Sequence, residues 1–328
     1  MGSREEQKIE NQPQSLAGKA IATRDAYGEA LLELGKRNEK VVVLDSDLSG
    51  STKTARFAKA FPERFFNMGI SEQDMMGTAG GLSLTGMIPF ASTFAIFASG
   101  RAWEQVRQTI GYSNLNVKIV ATHAGITVGE DGASHQALED IALMRVIPHM
   151  SVIVPSDGYE TTQVINAIAE YEGPVYVRLG RAKVPAVMPE DYIFQIGKAY
   201  VFHIGDINII ANGIMVDAAL KARNILSEKG IDVGVINMTT VKPLDEEVLI
   251  KVAKRSRLIV TAEEHSIIGG LGSAVSEFIS ENHPVPIKRI GTRDTFGCSG
   301  KPEELLKLFG LTPEDIVKAI LEYLHQLR

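Results

Sequence analysis

Residues 69–82 read GISEQDMMGTAGGL, with Met75, Met76, Ala79 and Leu82 at helical spacing behind Ser71, a residue type suited to the N-cap. Glu72 falls in the first turn of this predicted helix. A carboxylate there is favoured by the helix dipole, so the plain reading of Glu72 is a helix-start charge. Strand-like runs flank the helix, Phe65–Met68 before it and Met87–Ala91 after it. A strand, a helix and a strand in succession argue for a parallel sheet covered by helices.

The pattern extends in both directions. Thr23 is expected to cap a helix running to about Lys36, and Val41–Leu44 reads as a buried strand. The polar loop Asp45–Ser51 follows it, at the strand end where open α/β sheets gather ligands. After Met87–Ala91, residues Ser92–Phe97 are expected to open a helix reaching about Gly111. Val117–Thr122 then leads into a glycine-rich segment, His123–His135, which reads as a functional or mobile loop. Val152–Val154, a helix over Asp157–Tyr171 and Val175–Leu179 complete the first unit. Pro185 and Pro189 mark 181–196 as a linker. A second α/β unit has strands near Ala199–Phe202, Ile207–Ala211, Asp232–Ile236, Leu258–Thr261 and Ile287–Arg289. The expected class is therefore α/β with two doubly wound domains, the first with a mainly parallel sheet. The expected divisions are a leader over 1–17, a first domain over 18–180, the linker, and a second domain over 197–328.

Composition narrows the function. The chain has 328 residues, 45% hydrophobic and 23% charged, enough for full cores. A net charge of −6 without a basic stripe argues against nucleic acid. The single cysteine, Cys298, excludes an internal disulfide and fits a reducing compartment. No apolar run reaches membrane-spanning length, and the polar N-terminus lacks a secretory core. The expected location is the cytoplasm.

Several candidate sites dissolve on inspection. Gly269–Val275 is glycine-rich, but it neither follows a strand directly nor spaces as G-x-G-x-x-G, so close packing of a helix start explains it better. Glu263, Glu264 and His265 are consecutive on a strand end, and alternate faces forbid a shared metal. A protein-built zinc site is not expected. The loop His123–His135 is different, because two histidines flank Glu130 and Asp131 outside the strand ends. Phe94 and Phe97 could be core or an aromatic platform at the same sheet edge. Arg24 and Arg181 sit at element ends and read alone as surface charges.

Together these segments resemble the C-terminal half of transketolase. GISEQDMMGTAGGL, STFAIF, ATHAGITVGEDGASHQALED, YVRLGR and TAEEHSIIGGLGSAV occur in the family's order and spacing. The resemblance implies a pyrimidine-binding domain followed by a transketolase C-terminal domain. It also implies thiamine diphosphate and transfer of a two-carbon ketol unit from a ketose phosphate to an aldose phosphate in the pentose phosphate pathway. Glu72 then matches the glutamate that hydrogen-bonds N1′ of the cofactor's aminopyrimidine, favouring the imino form that deprotonates C2. Phe94 and Phe97 match aromatics holding that ring, and Asp47 and Leu48 match residues beside the cofactor. Arg24, Ser51, His123 and Arg181 match the phosphate-holding set, Asp131 the reader of a sugar hydroxyl, and His135 a histidine near the reacting carbon.

Two departures matter. The family holds the diphosphate and Mg²⁺ on an N-terminal domain, through Gly-Asp-Gly and a later asparagine. The nearest string here, Glu130-Asp131-Gly132, lies in the matched substrate loop without an asparagine in the following thirty or so residues. The metal ligands and the diphosphate site are thus expected on a partner, the N-terminal-half subunit, with no metal ligand on this chain. An α₂β₂ assembly built on a homodimer follows. The second departure is Gly100, where the family usually has a tyrosine three residues after Phe97. The alternatives are the β subunit of a 2-oxoacid dehydrogenase decarboxylase, a split deoxyxylulose-phosphate synthase-like enzyme, and a non-catalytic scaffold or regulatory partner. The first needs no sugar-phosphate clamp, and retention of the whole residue set argues against the last.

Overall fold

A computed structural model describes residues 20–326. The leader expected over 1–17 lies outside the described residues. The first sheet has seven strands in the order Thr240–Lys242, Ser151–Ile153, Val175–Arg178, Lys118–Thr122, Ile88–Phe94, Val41–Asp45, Phe65–Asn67. All neighbours are parallel except Thr240–Lys242, which pairs antiparallel with Ser151–Ile153. Every residue of Val41–Asp45 and Lys118–Thr122 is buried, as expected of central parallel strands covered on both faces. The second sheet runs Ile287–Thr292, Leu258–Ser266, Ile207–Ala211, Val233–Asn237, Tyr200–His203, with only the last strand antiparallel.

The two units share a core. Thr240–Lys242 leaves the second unit to complete the first sheet, and one apolar cluster runs from Met75 and Ile119 through Ile210 and Ile259. Glu160, buried in the helix Gly158–Glu170, accepts from Ser156, Tyr192, Asn237 and Thr239. Burial pushes its carboxyl up, and these donors oppose the shift. The segment read as a linker is part of this structure. Lys183–Val184 pairs with Ile21–Ala22, and Met188, Tyr192 and Phe194 are buried beside Tyr27 and Ile165.

Three local expectations change. Ser92–Phe94 continue the strand rather than opening a helix: Ser92, Thr93 and Phe94 register against Val120, Ala121 and Thr122. A β-branched and an aromatic residue between two parallel neighbours follow the ladder. Ser71 stands at the N-cap of the helix Glu72–Leu84, but its side chain makes no capping bond. Thr23 lies inside the helix Thr23–Arg37 and its hydroxyl is used elsewhere, accepting from Gly180 N at 2.9 Å. That clip brings the start of one helix against the end of strand Val175–Arg178, so Arg24 and Arg181 become neighbours.

Candidate active site

The site lies along the C-terminal ends of the central strands. Glu72 heads its helix and is only 1% exposed. Its Oε2 accepts a hydrogen bond from Arg101 Nη1 at 2.8 Å. Arg101 ends a π-helical turn, Phe97–Arg101, and its guanidinium carbon lies 4.6 Å from the centre of the Phe97 ring. Such turns are rare and concentrate at functional sites. Arg101 was not singled out by sequence reading, and its one signal was its place beside the aberrant Gly100. A side chain at Gly100 would meet no atom within 4 Å.

Phe94 is 6% exposed, and Phe97 is half-buried. Their rings lie parallel within 11°, centres 5.9 Å apart. His123 stacks on Phe94 at 3.8 Å, and His135 meets Phe97 edge-on at 5.6 Å. Pairwise contacts therefore link His123, Phe94, Phe97, Arg101 and Glu72 in turn.

Beside His123 is a cationic cluster. Arg24 Nη1 donates to Ser51 O at 3.1 Å and lies 3.0 Å from His123 Nε2. Burial first, and then Arg24, drives the His123 pKa from 6.5 down to about 3. Its backbone has φ +57, a left-handed conformation uncommon for a side chain of this size. Arg181 Nη1 contacts Glu130 at 3.3 Å, Asp131 at 3.7 Å and the carbonyl of Val128. Asp131 is thus paired to an arginine. His135 Nδ1 lies 3.0 Å from Ser134 Oγ.

The loop His123–His135 is more rigid than its composition suggested. Ile126–Asp131 form 3₁₀ turns broken by a kink at Gly129 (φ +86), with Ile126, Thr127 and Val128 buried. Glu264 of the second domain accepts from Thr127 N at 2.7 Å, and a Cβ on Gly125 (φ +80) would fall 2.2 Å from the Glu264 carboxyl carbon. Gln136 Nε2 donates to Ile126 O and Cys298 O. Arg178, bound to Asp140, also donates to Glu264 O. The second domain therefore positions this loop.

The polar loop after Val41–Asp45 is organised by Asp45, also missed in the sequence. Its buried carboxylate accepts from Leu48 N and from the hydroxyls of Thr52 and Thr54. Asp47 is exposed and accepts from Asn67, while Leu48 is half-buried. Ser46 Oγ donates to Met75 Sδ, tying this loop to the Glu72 helix. The structure thus joins Arg24, Ser51 and His123 directly, and stacks His123 with Phe94 and Phe97. It pairs Arg181 with Asp131, and it leaves Asp47 at the rim. The turn at Gly269–Leu271 holds an internal ligand: Glu263 accepts from Leu271 N and Gly272 N at 2.6 and 2.7 Å. Among the described residues, no group of three or more His, Cys, Asp or Glu side chains is placed to hold a metal ion. No helix there is long and apolar enough to cross a membrane.

Family models agree with this architecture. The transketolase pyrimidine-binding domain matches residues 19–187 and the transketolase C-terminal domain matches 203–316. A Methanocaldococcus jannaschii protein provisionally named a transketolase C-terminal section is 56% identical, covering 94% of this chain and 98% of its own. A 6-deoxy-6-sulfo-D-fructose transketolase subunit from Clostridium sp. (strain MSTE9) is 41% identical over 95% of this chain and 97% of its own. A solved split-gene transketolase, described as an inactive β4 tetramer, superposes with a TM-score of 0.86 at 55% identity, covering 92% of this chain and 98% of that one. The chain belongs to the transketolase family, whose members depend on thiamine diphosphate. Within it, the chain corresponds to the C-terminal half of a split enzyme, a pyrimidine-binding domain followed by a C-terminal domain.

Proposed function

We propose that this chain is the C-terminal subunit of a transketolase that moves a two-carbon ketol unit from a ketose phosphate to an aldose phosphate. The observation that carries the proposal is that one guanidinium, Arg101, bridges buried Glu72 and the Phe97 ring, while Phe94 beside Phe97 stacks on His123 next to Arg24. The residues fit an aminopyrimidine: a carboxylate shielded from water accepts an N–H, and an aromatic face receives the ring. When bound, thiamine diphosphate supplies a carbanion that accepts and donates the ketol unit. Glu72 would hold a proton at N1′ and so direct the 4′ nitrogen towards C2. Phe97 and Phe94 would fix the ring plane. Asp47 and Leu48 would line the cofactor's flank, from a loop that Asp45 organises.

Arg24 and Arg181 would hold the sugar's anionic end, with Ser51 O and His123 Nε2 aiming Arg24. Asp131 and His135 would face its hydroxyls, with His135 moving protons at the reacting carbon. Arg24 and Arg181 repel one another, and an anion between them relieves that repulsion. A phosphate and a sulfonate satisfy such a cluster alike, so the sulfosugar in the name of the Clostridium relative marks a second donor class to assay. The clamp disfavours a 2-oxo acid, which has no distal anion.

The remaining pieces are proposed for a partner. Phe66 and Ile70 beside the Glu72 helix are 38% and 78% exposed, an apolar rim suited to being covered by another subunit. The N-terminal-half subunit would supply the diphosphate and Mg²⁺ site, and two copies of each chain would give α₂β₂. The inactive β4 relative supports self-association without activity. The test is reconstitution. Mixed with the N-terminal-half subunit, thiamine diphosphate and Mg²⁺, the chain should transfer a ketol unit from a ketose phosphate to an aldose phosphate. Neither chain should do so alone. Appreciable turnover by this chain alone, or binding without turnover in the complex, would contradict the proposal.

A further inference from the structure

The contact between Arg101 and Glu72 is an unusual use of the site. A buried carboxylate and an aromatic face are both turned towards one exposed, flexible side chain. Arg101 is 47% exposed, whereas Glu72 is 1% exposed. Among the described residues, the guanidinium donates its side-chain hydrogen bond to Glu72 and lies over the Phe97 ring.

A guanidinium and a protonated aminopyrimidine share their recognition chemistry. Both are flat and cationic, with N–H donors on the edge and a π face above and below. Arg101 offers an N–H to Glu72 Oε2 at 2.8 Å and holds its guanidinium carbon over the Phe97 ring, 4.6 Å from the centre. Glu72 and Phe97 are two of the groups that the thiamine diphosphate reading assigns to the pyrimidine, so ring and guanidinium compete for one place. The wide turn Phe97–Arg101 makes this possible, because it brings Arg101 back over the ring that opens the same turn.

We propose that Arg101 is a stand-in for the aminopyrimidine: it occupies the seat on Glu72 and Phe97 until the cofactor displaces it. The inference rests on the thiamine diphosphate reading of this site. It answers a physical problem of a divided enzyme. A buried carboxylate without a counter-charge is strongly unfavourable, and before assembly the chain has no cofactor to provide one. Arg101 provides it, then swings into solvent, where an exposed cation is readily accommodated. The exchange replaces one charge-assisted hydrogen bond to Glu72 by another, so the carboxylate is never left bare.

The test is calorimetric titration of thiamine diphosphate, at fixed Mg²⁺, into the complex of this chain with the N-terminal-half subunit. A seat free about a tenth of the time weakens apparent affinity about tenfold, so Arg101→Ala should bind about tenfold more tightly than wild type. Arg101→Lys keeps a counter-charge for Glu72 without the flat face and should fall between the two, which separates displacement from a folding defect. A second readout uses the full chain alone with 4-amino-2,5-dimethylpyrimidine as the probe, followed by ligand-observed NMR. Binding should be stronger to Arg101→Ala than to wild type. Equal or weaker cofactor binding by Arg101→Ala, with wild type still binding, would overturn the Arg101 inference alone. Absence of binding by wild type and both variants would overturn the thiamine diphosphate reading and this inference with it.

Discussion

Arg24 Nη1 lies 3.0 Å from His123 Nε2, and an arginine can only donate. Nε2 is therefore the acceptor, and the imidazole proton sits on Nδ1, 2.8 Å from Thr122 Oγ1. His123 is a neutral ring that aims Arg24, rather than a cation of its own. The relationship changes what the cluster can do. Arg24 and Arg181 carry its positive charge, and His123 sets the direction of one of them while stacking on Phe94.

The neutral state has a pH signature. With its pKa down at about 3 against an ordinary 6.5, folded His123 binds fewer protons than the unfolded chain between those values. Its contribution to stability is present above about 6.5 and is lost as pH falls through that window towards 3. Carbon-bound proton or ¹³C NMR of His123 should show no titration between pH 5 and 8, and a midpoint near neutrality would refute the assignment.

Arg181 should act on binding more than on chemistry. Its guanidinium would contact the anionic tail in ground and transition states alike. Arg181→Ala in the assembled enzyme should raise KM for phosphorylated sugars by about tenfold to a hundredfold, with a smaller fall in kcat, the loss of one charge-assisted bond. Steady-state kinetics with a phosphorylated and a neutral acceptor measure it; equal losses on both would argue against a phosphate contact.

Glu264 should govern the rigidity of the Asp131 loop. Glu264→Ala leaves Thr127 N without its acceptor, and an unsatisfied buried donor costs about 1–3 kcal/mol. Hydrogen exchange at the Thr127 amide should accelerate, and thermal stability should fall. Unchanged protection there would mean that Gln136 and the 3₁₀ turn hold the loop by themselves.

Much of this was legible in residue order. Alternation of apolar runs and helical stripes identified parallel α/β units because buried parallel strands such as Val41–Asp45 must be apolar throughout. Phe94, Phe97 and the histidines were marked by type and by their place at strand ends. What stayed hidden depends on distant partners. Ser92–Phe94 carry no local mark of being strand until Val120–Thr122 lie beside them. Thr23 has the chemistry of a cap, but Gly180, 157 residues away, uses its hydroxyl instead. Residues 181–196 look like a tether until Asp157 accepts from Val187 N and Met188 N. Arg101 depends on a π-helical turn, and no periodicity of 3.6 announces one.

Glu72 began as a charge at a helix start and is now the buried carboxylate on which the proposal turns. Removing its ability to hold the N1′ proton, with shape retained, tests that role most directly. In the complex with the N-terminal-half subunit, Glu72→Gln should slow deuterium exchange at C2 of bound thiamine diphosphate by about 10²-fold or more, the scale of positioned proton transfer. Cofactor binding should persist. Exchange in Glu72→Gln as fast as in wild type, with the cofactor bound, would contradict the account.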